Sequence, residues 1–223
     1  MGWFAQLFQL ARSEPPVDIP GVFRPTTRQE AVERARKLAG PAGATIRYRL
    51  ADHQGGRDPH APDCASHWTS AVKRIPLATA DCAGFVAWCL GFDRYQPDRF
   101  STYGGWINCD SAIIDARTSR EWFEIAEKPT PGDLIVYPSV DYDRDGDRDR
   151  VGHVGVIVDV SARVPGTFSG LRVVHCSAGN DRRLGRAIAE TDATPWAGAA
   201  TYRGETRAAW GAVFLRYRRF APF

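Results

Sequence analysis

Lysine and methionine are nearly missing from this chain of 223 residues: of its 29 basic side chains only Lys37, Lys73 and Lys128 are Lys, and Met1 is the one Met. Such a bias often follows codon composition and names no partner. The formal net charge is only +3, so no field for a polyanion stands out and nothing reads nucleic-acid bases. No apolar run approaches the roughly 20 residues of a membrane-spanning helix, which excludes integral membrane association and predicts a soluble chain. The opening Met1-Gly2-Trp3-Phe4 has no basic stretch before it and no small-residue cleavage site after it. No Sec signal is expected, so the protein is cytoplasmic as synthesised. There is no internal repeat, no low-complexity tract and no Cys-x-x-Cys pair. What is present is 43% apolar and 25% charged, ordinary for a globular protein with a packed core. The five cysteines, Cys64, Cys82, Cys89, Cys109 and Cys176, are an odd number. At least one thiol must therefore stay outside any intramolecular disulfide.

Trp3, Phe4, Leu7, Phe8 and Ala11 recur at helical spacing, and Pro15, Pro16 and Pro20 break the chain after them. Residues 1–22 read as an amphipathic helix and linker. The helix is expected to dock on the protein, since its polar face lacks the basic cluster of a membrane anchor. Residues 23–223 read as a single domain. Thr27-Arg28-Gln29-Glu30 is a capping box, opening a helix through Ala39 that Gly40 stops. Residues 45–50 alternate like a short strand, and residues 53–76 read as loop. Cys82, Phe85, Val86, Cys89 and Leu90 form one stripe of a helix ending at Gly91. Ser111 reads as the cap of a helix running toward Phe123. Residues 133–137, 153–160, 171–176 and 212–217 are rich in Val, Ile and aromatics and read as strands. Helices first and strands after argue an α+β fold with an antiparallel sheet.

Asp81-Cys82-Ala83-Gly84 puts a thiol at a predicted helix N-terminus. Unpaired N–H groups there, carrying about half a positive charge, favour the thiolate and can receive an oxyanion. Buried structural Cys is the competing reading. A base is available in Val151-Gly152-His153-Val154-Gly155-Val156, where His153 opens an apolar strand. Alternation sets His153, Gly155 and Ile157 on one face, with Val154 and Val156 on the other. His175, in Leu171-Arg172-Val173-Val174-His175-Cys176, would orient the His153 ring from the neighbouring strand. Cys82, His153 and His175 thus supply nucleophile, base and orienter in chain order.

Taken together these segments resemble the NlpC-type branch of papain-like cysteine peptidases, which is related to the CHAP amidases. The family's Asp-Cys-Ser-Gly-Phe-Val motif is similar to Asp81-Cys82-Ala83-Gly84-Phe85-Val86. Its Pro-Gly-Asp-Leu-Val strand is similar to Pro131-Gly132-Asp133-Leu134-Ile135, and its Gly-His-Val-Gly-Ile strand to residues 152–156. Its third polar residue matches His175. Tyr48, ahead of Gly55-Gly56, resembles the tyrosine before a Gly-Gly pair. The resemblance spans residues 46–180. It implies a papain-like fold, with the cysteine helix packed on an antiparallel sheet of about five or six strands. It also implies cleavage of amide bonds in peptidoglycan stem peptides or cross-bridges through a thioester acyl-enzyme, with no cofactor or metal. Catalytic roles fall to Cys82, His153 and His175, and substrate-binding roles to Tyr48, Asp81 and Ala83.

Two departures stand out. Ala83 replaces the family's Ser, and Ala51-Asp52-His53-Gln54 stretch the interval between Tyr48 and the Gly-Gly pair. Residues 93–130 and 195–211 read as insertions. The alternatives are a non-catalytic papain-like binding module, or an acyltransferase or amidase acting on a non-wall substrate. A wall enzyme without a Sec signal implies a non-Sec route to the periplasm or wall, or action on recycled wall peptides in the cytoplasm. No inhibitor or immunity protein is specified.

The remaining constellations read as surface. The Asp-rich residues 141–149 have the Asp spacing of a calcium loop, but Gly152 stands where the bidentate Glu belongs, so a charged hairpin loop is expected. His60, Cys64 and His67 match no zinc template. Tyr103-Gly104-Gly105-Trp106 reads as loop packing. Arg182-Arg183 and Arg216-Tyr217-Arg218-Arg219 read as solvated basic clusters. Cys82 and Cys89, about 10 Å apart along one helix, are too distant for a disulfide, and all five thiols are expected reduced.

Overall fold

The computed structural model describes residues 26–49, 79–91, 108–139, 151–197, 199–202, 205–209 and 211–221. The expectations placed on residues 1–22, on His60, Cys64 and His67, on residues 103–106 and on residues 141–149 lie outside the described residues. Among those described, no helix is long and apolar enough to cross a membrane.

The fold is α+β. Helix α1 (Arg28–Ala39) is capped as its sequence predicts. Thr27 accepts the Glu30 N–H, and the Glu30 carboxylate accepts the Thr27 N–H. Two short strands, β1 (Arg47–Tyr48) and β2 (Thr79–Ala80), then pair in parallel, with Tyr48 opposite Ala80. Helix α2 (Cys82–Leu90) follows β2 directly. Asp81 caps it through Gly84 N–H, and Gly91 ends it at φ 74°, a left-handed conformation that glycine takes without strain. The apolar stripe read from the sequence turns out to be the whole circumference: all nine residues of α2 are buried. This helix is therefore a core element rather than a surface amphipath.

Helix α3 (Cys109–Arg117) differs from expectation at both ends. Asn108 is the N-cap, and Ser111 is the reciprocal partner that accepts the Asn108 N–H. The helix stops at Arg117 instead of reaching Phe123. The buried Asp115 carboxylate collects the N–H groups of Glu121, Trp122 and Phe123 and the Ser119 hydroxyl. This draws the chain out of the helix and into strand β3 (Phe123–Ile125).

Six strands form one antiparallel sheet: β3, β4 (Leu134–Tyr137), β5 (His153–Asp159), β6 (Arg172–Cys176), β7 (Ile188–Asp192) and β10 (Val213–Tyr217). Their spatial order is β3-β10-β4-β5-β6-β7. The four strand runs read from the sequence are β4, β5, β6 and β10. A hairpin, β8 (Ala199–Tyr202) with β9 (Glu205–Ala209), stands apart, and helix α4 (Ala178–Leu184) joins β6 to β7. Residues 109–125, read as part of an insertion, are built into the body: α3 packs in the main core and β3 is an edge of the sheet.

Strand alternation sorts the core into two layers. Leu134, Val136, Val154, Val156, Val158, Val174 and Cys176 meet α1, α2 and α3 on one side. Ile135, Ile157 and Val173 meet Leu171, Ala193 and Trp196 on the other. Asp133 clamps three elements at the start of β4. Its carboxylate is fully buried, at 2.6 Å from Arg28 of α1, 3.1 Å and 3.2 Å from Arg216 of β10, and 2.9 Å from Thr130 N–H. The Pro-Gly-Asp segment is thus architectural. Gly132 sits at φ +92°, and a side chain there would strike Arg28. The basic cluster around Tyr217 is likewise paired: Arg216 with Asp133, Arg218 with Glu124 and Arg219 with Glu121.

Candidate active site

The site assembles where β2 runs into α2. Cys82 is the first residue of α2, 5% exposed. Gly84 N–H goes to the Asp81 carboxylate and Phe85 N–H to the Asp81 carbonyl. The Cys82 and Ala83 N–H groups of the first turn have no acceptor within the helix. A hydrogen bond from Cys109, and then the charge and hydrogen bond of His153, hold the Cys82 thiol well below its ordinary range, against burial and the nearby Asp81 carboxylate. Asp81 itself is buried, with one oxygen engaged in the cap. Ala83, also buried, adds no polar atom.

His153 opens β5 and His175 lies on β6. His153 Nε2 is 2.8 Å from His175 Nδ1. Gly155 makes this approach feasible. It pairs with His175 across the strands, and a Cβ there would come within 2.5 Å of a Val173 methyl and 3.0 Å of His175 Cβ. His175 is pushed down to about 3 by burial, then by the charges of His153 and Arg183, so it is neutral at physiological pH. Its Nε2 lies 3.1 Å from Thr191 Oγ1. With Nε2–H donating to that hydroxyl, Nδ1 carries the lone pair and accepts Nε2–H from His153. His153 Nδ1 is then left for Cys82.

Tyr48, reached through β1, is raised in its phenol by burial and then by the negative charge of nearby Cys82 and Asp81. Its hydroxyl therefore stays protonated and is a donor. The β1–β2 pairing puts it there, and Asp181 of α4 accepts the Tyr48 N–H at 3.0 Å and pairs with Arg47. All three residues read as catalytic, and all three read as substrate-binding, are thus near one another.

Five contributors went unread in the sequence. Trp196 stacks on His153, with centroids 4.9 Å apart and planes at 24°, and meets His175 edge-on at 5.6 Å. It covers the imidazole pair on the face away from the helices, and Tyr137 closes the same cluster at 5.7 Å from His153. Thr191 holds the far side of His175. Buried Asn180 donates to the His175 and Ala187 carbonyls. Cys109, the first residue of α3, bonds to Cys82. A lone Trp near Pro195 and a Cys after Asn108 carry no local signal of such roles; only the fold brings them here. Among the described residues, no group of three or more His, Cys, Asp or Glu side chains is placed to hold a metal ion.

The site thus sets a helix-borne thiol beside a sheet-borne imidazole that is itself held by a second imidazole. Residues 73–180 match the CHAP domain, consistent with the resemblance read from the sequence. CHAP domains are typically amidase- or peptidase-type hydrolases acting on peptidoglycan, and the match supports an enzyme of that general kind. No curated protein matches the chain.

Proposed function

We propose that this protein is a cysteine hydrolase that cleaves an amide bond in peptidoglycan stem peptides or cross-bridges, with Cys82 as nucleophile. The observation that carries the reading is the continuous relay Cys82–His153–His175–Thr191, with a thiol held low at one end and a neutral imidazole behind the base. The Cys82 thiolate attacks the scissile carbonyl. The oxyanion lies at the first turn of α2, within reach of the Cys82 and Ala83 N–H groups, and the Tyr48 hydroxyl is a further donor. Collapse of the tetrahedral intermediate breaks the C–N bond, and His153 gives its proton to the leaving amine. The thioester remains on Cys82. His153 then takes a proton from water, which attacks the acyl carbon and releases the carboxylate and the thiolate. His175 accepts Nε2–H from His153 throughout and keeps its ring plane and tautomer. No step calls for a metal or organic cofactor. Ala83 in place of Ser, together with the capped Asp81, argues for recognition of the substrate through groups other than a free stem-peptide amine.

The test is digestion of purified sacculi by wild type and by Cys82→Ala, with released fragments mapped by mass spectrometry. Wild type is expected to open one class of amide bond and the variant none. Equal release by both would place the chemistry elsewhere. No release by wild type from walls of several cross-bridge types would favour a binding module or a substrate outside the wall.

A further inference from the structure

The site contains two thiols where the relay needs one. Cys82 and Cys109 each open a helix, α2 and α3, and both are buried, at 5% and 6% exposure. They share a hydrogen bond. Cys109 is pressed against the chain just ahead of the base, since a Cβ on Gly152 would lie 2.8 Å from Cys109 Cβ. The third cysteine of the neighbourhood, Cys176, is engaged by a different partner. Its Sγ donates to the Ala80 carbonyl at 3.3 Å, and burial and surrounding negative charge hold it protonated. Cys89 lies in the body of α2.

We propose that Cys82 and Cys109 are a redox-modification pair, in which a peroxide oxidises Cys82 and Cys109 resolves the product to a disulfide that blocks the nucleophile. The inference rests on the reading of Cys82 as a nucleophilic thiolate. The Cys82 thiolate attacks one peroxide oxygen, the O–O bond breaks, and the departing hydroxide or alkoxide takes a proton from His153. Sulfur is oxidised by two electrons and the peroxide is reduced by two, leaving a sulfenic acid on Cys82. The Cys109 sulfur then attacks Cys82 Sγ. The S–S bond forms and the S–O bond breaks, and the hydroxide leaves as water with the Cys109 proton. A small dithiol restores both thiols by exchange.

The test treats the full chain, reduced and without substrate, with hydrogen peroxide, then digests it without reductant and maps the linkages by mass spectrometry. The expected product is the Cys82 peptide joined to the Cys109 peptide, with the loss of two hydrogens. Iodoacetamide labelling of Cys82 should disappear and return after dithiothreitol. Cys176→Ser should give the same link, whereas Cys109→Ser should accumulate a dimedone-reactive sulfenic acid and pass to sulfinic acid that dithiothreitol cannot reverse. Cys82 oxidised to sulfinic acid with Cys109 still a free thiol, or a Cys82–Cys176 link, would overturn the proposal in wild type alone, whether or not Cys109→Ser folds. Because this readout needs no wall substrate, its failure is distinguishable from failure of the sacculus digestion.

Discussion

Cys82 and Cys89 are the same residue type, on the same helix, both buried, and they behave oppositely. Cys82 sits in the first turn of α2, where a thiol and an imidazole donate to it, and its proton is easily lost. Cys89 sits in the last turn of α2 with 0% exposure. Burial pushes its thiol far up, and the charge of Arg34 offsets only part of this. The difference teaches that reactivity here is a property of position. Burial alone always opposes the thiolate; donors and a nearby cation reverse the outcome only at the helix start.

The hardest blow to this contrast is removal of the cation. His153→Ala deprives Cys82 of a hydrogen bond and a charge, and deprives the reaction of its acid and base. Wall hydrolysis is expected to fall by about 10²–10⁴-fold. Iodoacetamide labelling at pH 6, rapid at Cys82 in wild type and absent at Cys89, should fall toward the Cys89 level. Persistence of fast labelling at Cys82 would mean that the helix terminus and Cys109 suffice.

Next in size is Gly155→Ala. The added methyl meets the Val173 side chain and His175 Cβ, so the strands must part and His175 must shift. Overpacking of this kind typically costs about 1–3 kcal/mol, and kcat should fall while the labelling of Cys82 persists. A thermal midpoint and a kcat both equal to those of wild type would show that His175 need not lie so close.

The other pole of the comparison is probed by Cys89→Ser. A hydroxyl in that apolar site is expected to cost about 1–3 kcal/mol in denaturant unfolding while wall hydrolysis is retained. Loss of hydrolysis in a folded variant would end the claim that Cys89 is only structural.

His175→Asn sharpens the pH side. The folded-state pKa of His175 is near 3 and its ordinary value is 6.5, so the unfolded chain takes up the proton first as pH falls. The contribution of neutral His175 to stability is complete above about pH 6.5 and is lost on descent toward pH 3. The variant should therefore show a shallower fall of Tm across that window. An unchanged slope would assign the acid sensitivity to other groups. The smallest effect is expected from Cys109→Ser, where a hydroxyl still donates to Cys82. The midpoint of the Cys82 labelling profile should move only slightly to higher pH, and a move as large as that of His153→Ala would show that the Ser hydroxyl cannot replace the Cys109 thiol as a donor.

Elements whose signal is local were legible in the sequence. The Thr27–Glu30 box defines its helix by contacts three residues apart, and β4, β5, β6 and β10 are runs of Val, Ile and aromatics with clear alternation. Helix α3 was read with its cap three residues late, because Asn108 and Ser111 cap reciprocally and either residue satisfies the sequence pattern. Strand β7 was missed because Ile188-Ala189-Glu190-Thr191-Asp192 carries little apolar signal. It is a strand because β6 offers it a ladder, with Val174 opposite Glu190 and His175 opposite Ala189. Helix α4 is polar and short, and it exists through its Ser177 cap and its Asp181 contact to β1.

The sequence by itself determined which three residues meet at the candidate site: a cysteine at a helix start, a histidine at a strand start and a second histidine one strand on. Those positions follow from caps and alternation, which act over a few residues. Tertiary structure alone decided which groups surround them. The parallel β1–β2 pair delivers Tyr48 to Cys82. The turn after β7 brings Trp196 over both imidazoles, and the start of α3 supplies the second thiol. Each of these contacts joins segments far apart in the chain, and so depends on packing that no local pattern records.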